Sequence, residues 1–346
     1  MQVHPDFKVR LLRIDEGSAG QRLDNFLLKS LKGAPKTLVY RIIRSGEVRV
    51  NKGRAHADTR LELDDVVRIP PLRLPDPSSD AQAQATAAVP PREFPVLFED
   101  DHVLVINKPA GVAVHGGSGV SFGVIEQLRR ARPEARFLEL VHRLDRDTSG
   151  LLLIAKKRSA LTALQEQFRQ RETDKTYAAL VLGSWPEKLK VIDVALHKYL
   201  DSAGERRVRV VQAGDPNIED GRRSISLVRT AQRYQHFTLL DVTIKTGRTH
   251  QIRVHLQHAG HPIMGDDKYG DFTQNKALAR GEPVQGVQAG VRFDRMFLHA
   301  AKLAFDHPAR PERIALLAPL PPECVTLLAQ LHPHHLHHLH APSTAS

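Results

Sequence analysis

The stretch Phe137-Leu138-Glu139-Leu140-Val141-His142-Arg143-Leu144-Asp145-Arg146-Asp147-Thr148-Ser149-Gly150-Leu151-Leu152-Leu153-Ile154-Ala155 sets two chemistries side by side. Apolar runs at 137–141 and 151–155 bracket a charged string. Both runs are short, mostly aliphatic and bounded by turn residues, which is the pattern of buried strands. Between them, two carboxylates and two guanidinium groups fall within five positions. A charged loop strung between core strands is held over a packed scaffold, where sites tend to be built. Alternating Arg and Asp also occur in solvated surface turns, where their ion pairs are worth little. By itself the pattern does not choose between Asp145 and Asp147.

Outward from this loop, residues 93–331 read as one larger domain. Strand-like runs at Val103 to Ile106, Tyr177 to Leu182 and Phe237 to Ile244 mix with helical ones at Phe122 to Arg130, Ser159 to Arg169 and Thr249 to His258. The two kinds do not alternate strictly enough for a doubly wound sheet. The expected class is α+β, with a mixed, largely antiparallel sheet and flanking helices. Asn107-Lys108-Pro109-Ala110-Gly111 is a turn after a strand, with Lys108 expected to point outward. In Thr246-Gly247-Arg248-Thr249-His250-Gln251-Ile252-Arg253-Val254-His255-Leu256, Gly247 ends a strand, Thr249 is the expected N-cap and Gly260 closes the helix. His250 and His255 are five apart, off a common helical face, and no HExxH pattern is present, so no metal site is expected.

Residues 1–72 read as a small separate domain. Leu23, Phe26, Leu27 and Leu31 recur at helical spacing, with Gly33 ending that helix and Pro35 opening the next. Leu38, Val39, Ile42 and Ile43 stripe the second helix, which Gly46 closes. Val48 and Val50 alternate as in a strand, Asn51-Lys52-Gly53 is a turn, and Val66, Val67 and Ile69 predict another strand. Over residues 1–70 there are 14 Lys plus Arg against 9 Asp plus Glu, many of them on or beside the helices and the hairpin. Residues 73–92 lack periodic apolar positions and are rich in Pro, Ser, Ala and Gln, as in a flexible linker. Residues 332–346 form a histidine-rich tail, read as disordered and neutral to function.

The formal net charge of +11 favours a polyanionic partner through counterion release. No basic helix with a large apolar face stands out, so nucleic acid fits better than a membrane surface. One cysteine, Cys324, excludes an internal disulfide framework and a cysteine-rich zinc site. The N-terminus carries no apolar core of signal-peptide length, and no apolar run is long enough to span a bilayer. A cytoplasmic monomer is the expectation.

The nine-residue string His142 to Gly150 resembles the signature of the RluA-type pseudouridine synthases. Asn107 to His115, Lys175 to Val181, Thr246 to Leu256 and Gly260 to Gly270 resemble further strings of that family, and the likeness runs from about Gln21 to Pro321. The first domain resembles the RNA-binding module named after ribosomal protein S4. The resemblance implies a pseudouridine synthase fold with Asp145 as the catalytic aspartate. It also implies that Tyr177 lies against the target base and that Arg248 forms an ion pair with Asp145, keeping it ionised and oriented. Arg143 and Arg146 are implied to hold the loop and an everted nucleotide. Lys36, Arg41, Arg44, Arg49 and Lys52 are implied to lie near phosphates. Gly260 to Gly270 is implied to be a structural turn beside the cleft. The implied substrate is uridine in large-subunit ribosomal RNA, with other ribosomal or transfer RNA uridines as the alternative.

That reaction breaks the bond from ribose to N1 of uracil, turns the base and bonds C5 to the same sugar carbon. It imports no group and changes no redox state, so neither cofactor nor metal is expected, in keeping with the lack of a dinucleotide fingerprint or P-loop. A carboxylate can stabilise or attack the positive charge at the sugar, or remove a sugar proton, and the sequence leaves these routes open. The base must leave its stack to be reached. Two other classes fit parts of the chain. A non-catalytic RNA-binding assembly factor would need only the first 72 residues. A glycosidase would need a second acid and aromatic sugar platforms, yet only 5% of residues are aromatic.

Overall fold

The computed structural model describes residues 8–332 apart from 16, 32–33, 73–88, 117–121 and 203. Most of the expected linker, nearly all of the histidine-rich tail and Gly33 lie outside the described residues.

The N-terminal part contains β1 (Arg10–Arg13), α1 (Leu23–Ser30), α2 (Lys36–Arg44), β2 (Arg49–Val50), β3 (Gly53–Arg54) and β4 (Val66–Ile69). Its strands form one antiparallel sheet in the order β1-β4-β2-β3. Leu23, Leu27, Val39 and Ile42 leave no surface exposed and pack with Val48, Val67 and Ile69 into a core of their own. The helical spacing of the apolar residues thus marks the buried faces of α1 and α2. Asn51 and Lys52 both take positive φ, which lets the β2–β3 hairpin turn within two residues.

The rest contains β5 (Val96–Glu99), β6 (Val103–Lys108), α3 (Val124–Ala131), β7 (Glu139–Leu140), β8 (Ser149–Ala155), α4 (Arg158–Gln170), β9 (Asp174–Leu182), β10 (Val191–Leu200), β11 (Arg206–Val211), β12 (Arg222–Arg233), β13 (Phe237–Ile244), α5 (Gln251–His258), α6 (Phe272–Arg280), β14 (Leu298–Asp306), β15 (Arg313–Leu317) and α7 (Pro322–Gln330). Among the described residues eleven strands form one sheet whose path runs β11-β10-β12-β13-β9-β14-β8-β6-β5, with β15 beside β14 and β7 beside β8. β14 and β8 pair in parallel and the other described pairs are antiparallel, so the sheet is mixed and largely antiparallel as expected.

The site loop sits over the middle of this sheet because β8 is covered on both faces. Val103, Val105, Leu151 and Leu153 pack toward Leu161 and Leu164 of α4. Leu104, Ile106, Leu152 and Ile154 pack toward Val124 and Leu128 of α3 and Leu327 of α7. Two buried faces explain why 151–155 reads as an unbroken apolar run rather than an alternating one. At the head of β8, Gly150 has φ +112, and a Cβ there would stand 2.3 Å from the Ala300 carbonyl oxygen. Only glycine lets β8 and β14 come together at that point.

Candidate active site

The loop between β7 and β8 is fastened at both ends. At its start, the His142 ring stacks on Phe168 at 5.0 Å, and its Nε2 accepts the Leu153 N–H at 3.1 Å. Burial pushes His142 down to about 3, so the ring is neutral and serves as an acceptor, not a base. Leu144 turns into the core. The Thr148 N–H closes a turn on the Asp145 carbonyl at 3.2 Å. At the far end Ser149 Oγ meets His299 Nδ1 at 2.9 Å and accepts Arg295 Nη2 at 2.7 Å.

Lys108 fastens the middle. It was expected to point outward, but it is fully buried at the end of β6. Its Nζ donates to the carbonyls of Pro109 (2.8 Å), Val112 (2.7 Å) and Arg146 (2.9 Å). Burial pushes its pKa down to about 7, opposed by the charge of Asp147. Three carbonyl acceptors require three N–H donors, which the ammonium has and the neutral amine lacks. The lysine turns inward because three backbone oxygens of two loops converge there, a long-range arrangement that no local pattern encodes.

The two carboxylates of the loop are treated differently. Asp147 pairs with its exposed neighbour Arg146, Nε to Oδ1 3.2 Å. Asp145 keeps 28% of its side-chain surface open and faces Arg253, whose Nη1 lies 3.5 Å from Oδ2. Arg253 is itself 3% exposed, and its other edge is gripped by the fully buried Asp266, Nε to Oδ2 and Nη2 to Oδ1 both at 2.7 Å, with Asp267 Oδ1 at 2.9 Å. Burial opposes the charge on both members of this pair. Their mutual hydrogen bonds and charges prevail, holding Arg253 above and Asp266 below the ordinary range. The turn at Gly260 to Gly270, expected to be structural, is thus what orients the guanidinium facing Asp145.

The expected partner Arg248 does not fill this role. Arg248 is exposed, has no ion pair among the described residues, and its backbone N–H donates to Gln251 Oε1. It lies in the turn before α5, whereas Arg253 lies in the helix. The N-cap of α5 is His250 in the left-handed region (φ +52), not Thr249, and Arg253 follows it by three residues. One helical turn therefore places His250 and Arg253 on the same face. His250 Nε2 stands 3.9 Å from the same Asp145 Oδ2. That i, i+3 spacing was present in the sequence and is the signal that could have found Arg253.

Tyr177 enters β9 opposite Val242 and Ala300 and is 8% exposed. Burial first, and the negative charge of Asp145 second, push its phenol well above the ordinary range, so it stays neutral. Lys175 is buried beside it, donating to Thr173 Oγ1 at 2.8 Å and lying over the Phe168 ring. Arg143 and Arg146 are exposed. In the N-terminal part Lys36, Arg41, Arg44 and Lys52 are exposed without ion pairs among the described residues, and Arg49 donates to the Gly46 carbonyl at 2.8 Å.

Residues 102–258 match the family described as RNA pseudouridylate synthase, and residues 21–67 match the S4 domain. The chain is 51% identical over 323 residues to a protein of Pasteurella multocida named ribosomal large subunit pseudouridine synthase C, covering 93% of this chain and 94% of that one. It is 50% identical over 312 residues to the protein of that name in Escherichia coli K12, covering 90% and 93%. The chain is a member of the RNA pseudouridylate synthase family. Among solved structures it is similar to human RNA pseudouridylate synthase domain containing 4, with a TM-score of 0.55 at 25% identity, covering 73% of this chain and 97% of that one. In this pseudouridylate synthase, Asp145 comes from the β7–β8 loop, His250 and Arg253 from the head of α5, and Tyr177 from β9. None of the described basic residues in the S4 part is within ion-pair distance of Asp145.

Proposed function

We propose that the protein isomerises uridines of large-subunit ribosomal RNA to pseudouridine and that Asp145 is the group that meets the sugar. The substrate is taken from the printed names of the bacterial relatives. The observation that carries the reading is that Asp145, the partly open carboxylate of a rigid loop, faces a buried arginine whose other edge is locked by a second carboxylate. Such preorganised charge acts without rearranging during the reaction. As the glycosidic bond breaks, positive charge grows at the sugar, and a fixed carboxylate stabilises or captures it. The neutral Tyr177 offers a ring face and an O–H to the detached uracil, and it is too weak an acid to serve as an anionic base. In this reading Arg143 and Arg146, both exposed in the loop, meet phosphates around an everted nucleotide.

In this reading residues 1–72 hold RNA through Lys36, Arg41, Arg44, Arg49 and Lys52. Residues 73–92 tether them, residues 93–331 do the chemistry and residues 332–346 are a tail. A tether raises the local concentration of the catalytic part at the same RNA. The test is tritium release from uridine-labelled large-subunit RNA by Asp145→Asn and Asp147→Asn. The reading expects Asp145→Asn to lose on the order of 10²–10⁴-fold or more in turnover while folding normally. It expects Asp147→Asn to lose far less, and comparable turnover by Asp145→Asn and the unmodified enzyme would overturn it.

A further inference from the structure

Among the described residues, the closest approaches of Arg253 and His250 to Asp145 fall on the same oxygen. Arg253 Nη1 and His250 Nε2 both approach Oδ2, at 3.5 and 3.9 Å. We infer that His250, oriented by Tyr269, is a positioning residue that presents an N–H to Oδ2 of Asp145 and so leaves Oδ1 as the oxygen that reacts. This rests on the reading of Asp145 as the reacting group.

The direction of the hydrogen bonds carries the inference. The backbone N–H of Val208, on the edge strand β11, donates to Tyr269 Oη at 3.0 Å. An amide nitrogen cannot accept, so the phenol oxygen is the acceptor there. The same Oη lies 2.8 Å from His250 Nδ1. Burial pushes the Tyr269 phenol up to about 12, so it keeps its hydrogen, and His250 Nδ1 is the acceptor in reach. A ring that accepts at Nδ1 carries its proton on Nε2. That nitrogen faces Asp145.

The relay therefore runs one way, from β11 through Tyr269 and His250 to Oδ2. The 3.9 Å gap is about 1 Å longer than a hydrogen bond, and catalytic contacts of this kind tighten when substrate binds. His250 also holds the left-handed conformation (φ +52) at the head of α5. Non-glycine residues adopt that region at a cost, and it persists where a side chain must be aimed. The ring stands edge-on to Tyr269, with centroids 5.5 Å apart.

The groups facing His250 are Asp145 from the loop, Arg253 from its own helix, and Asp266, Lys268 and Tyr269 from the turn after it. Burial lowers its pKa and the charge of Asp145 opposes that, leaving it neutral at pH 7. Tyr177 and Lys108 are the further groups that feel Asp145.

Tyr269→Phe removes one hydroxyl. Nδ1 then loses its donor, and the neutral ring is free to move its proton there, turning a bare Nε2 toward the carboxylate. At lower pH the imidazolium carries a proton on both nitrogens, so the N–H facing Oδ2 returns. The expected result is a kcat about tenfold below the unmodified enzyme where the ring is neutral, with the deficit shrinking as pH falls below the ordinary imidazole range and the ring takes up its second proton, and KM little changed. A merely structural defect would lower kcat by the same factor at every pH.

His250→Asn keeps a residue that tolerates the left-handed region and removes the ring. Its deficit should be independent of pH over the same range. Nitrogen NMR of the full-length unmodified protein reads the tautomer directly and is expected to find His250 protonated at Nε2. A constant Tyr269→Phe deficit across pH, or a proton on Nδ1 in the unmodified protein, overturns the inference. Asp145→Asn, assayed in parallel, tells its failure from that of the underlying reading. An active Asp145→Asn removes the reading itself, while an inactive one beside a pH-independent Tyr269→Phe removes only the relay.

Discussion

Arg253 serves two carboxylates at once, and its deletion would strand them unequally. Asp266 is fully buried and Asp145 is partly open. Removing one partner of a buried pair leaves an uncompensated charge, at about 3–5 kcal/mol. Arg253→Ala is therefore expected to lose about that much stability in urea unfolding, together with 10²-fold or more of kcat. Arg248→Ala, at an exposed position, should stay within about 0.5 kcal/mol of the unmodified protein. Equal destabilisation by the two variants would contradict the assignment of the buried partner. The sequence displayed the charged loop and its flanking strands because both are local features with clear periodicity. It did not display which arginine reaches Asp145, since that depends on where α5 starts. The true cap, His250, is a residue that capping preferences do not favour. The burial of Lys108 is hidden from the sequence for a related reason. A lysine at a strand end reads as exposed until the three carbonyls that enclose it are brought together by folding.

The elements divide by how far their pattern is set by neighbours in the chain. α1, α2, β6, β8 and α4 were readable because their apolar residues follow one period or fill one buried run. β11 was not, because half of Arg206–Val211 is arginine, and β14 was not, because its alanines have low strand propensity. Their place is fixed by pairing with distant strands. The junction of β8 and β14 depends on Gly150, where a Cβ would strike the Ala300 backbone. Gly150→Ala should therefore cost more than about 3 kcal/mol, since neither strand can move aside within a packed sheet. A variant that melts within a few degrees of the unmodified protein would mean that the sheet yields there. α2 and the β2–β3 turn offer the opposite case, four exposed cations with no ion pair among the described residues. If they hold RNA, replacing Lys36, Arg41, Arg44 and Lys52 by Gln should weaken binding and flatten its salt dependence. Each lost phosphate contact should remove about 0.7–0.9 from the slope of log K against log salt. An unchanged slope would place the RNA elsewhere.

At the scale of the whole molecule, the α+β class and the mixed sheet were legible because the strands and helices fail to alternate. The order of eleven strands was not, because it rests on long-range pairings such as β9 between β13 and β14. The same long-range burial traps three histidines. Burial pushes His142 to about 3 and His255 and His299 to about 4, against an ordinary 6.5. The unfolded chain thus binds more protons than the folded one between pH 6.5 and 4, so stability is full above that window and falls as pH drops through it. At pH 5 each ring forfeits at most about 2 kcal/mol. Three such losses are comparable with the whole stability of a typical domain, about 5–15 kcal/mol. Mild acid should therefore lower the urea midpoint sharply between pH 7 and 5. His255 isolates the effect, because both of its ring nitrogens are buried without a hydrogen-bond partner among the described residues. Replacing an unsatisfied polar ring by an apolar side chain of similar size removes a desolvation penalty of about 1–3 kcal/mol. His255→Leu should be more stable than the unmodified protein at pH 7, and its advantage should widen by up to about 2 kcal/mol at pH 5. An advantage that is constant between those pH values would mean that His255 does not take up a proton on unfolding, and the acid sensitivity would then have to come from the other histidines whose pKa burial lowers, His142, His250 and His299.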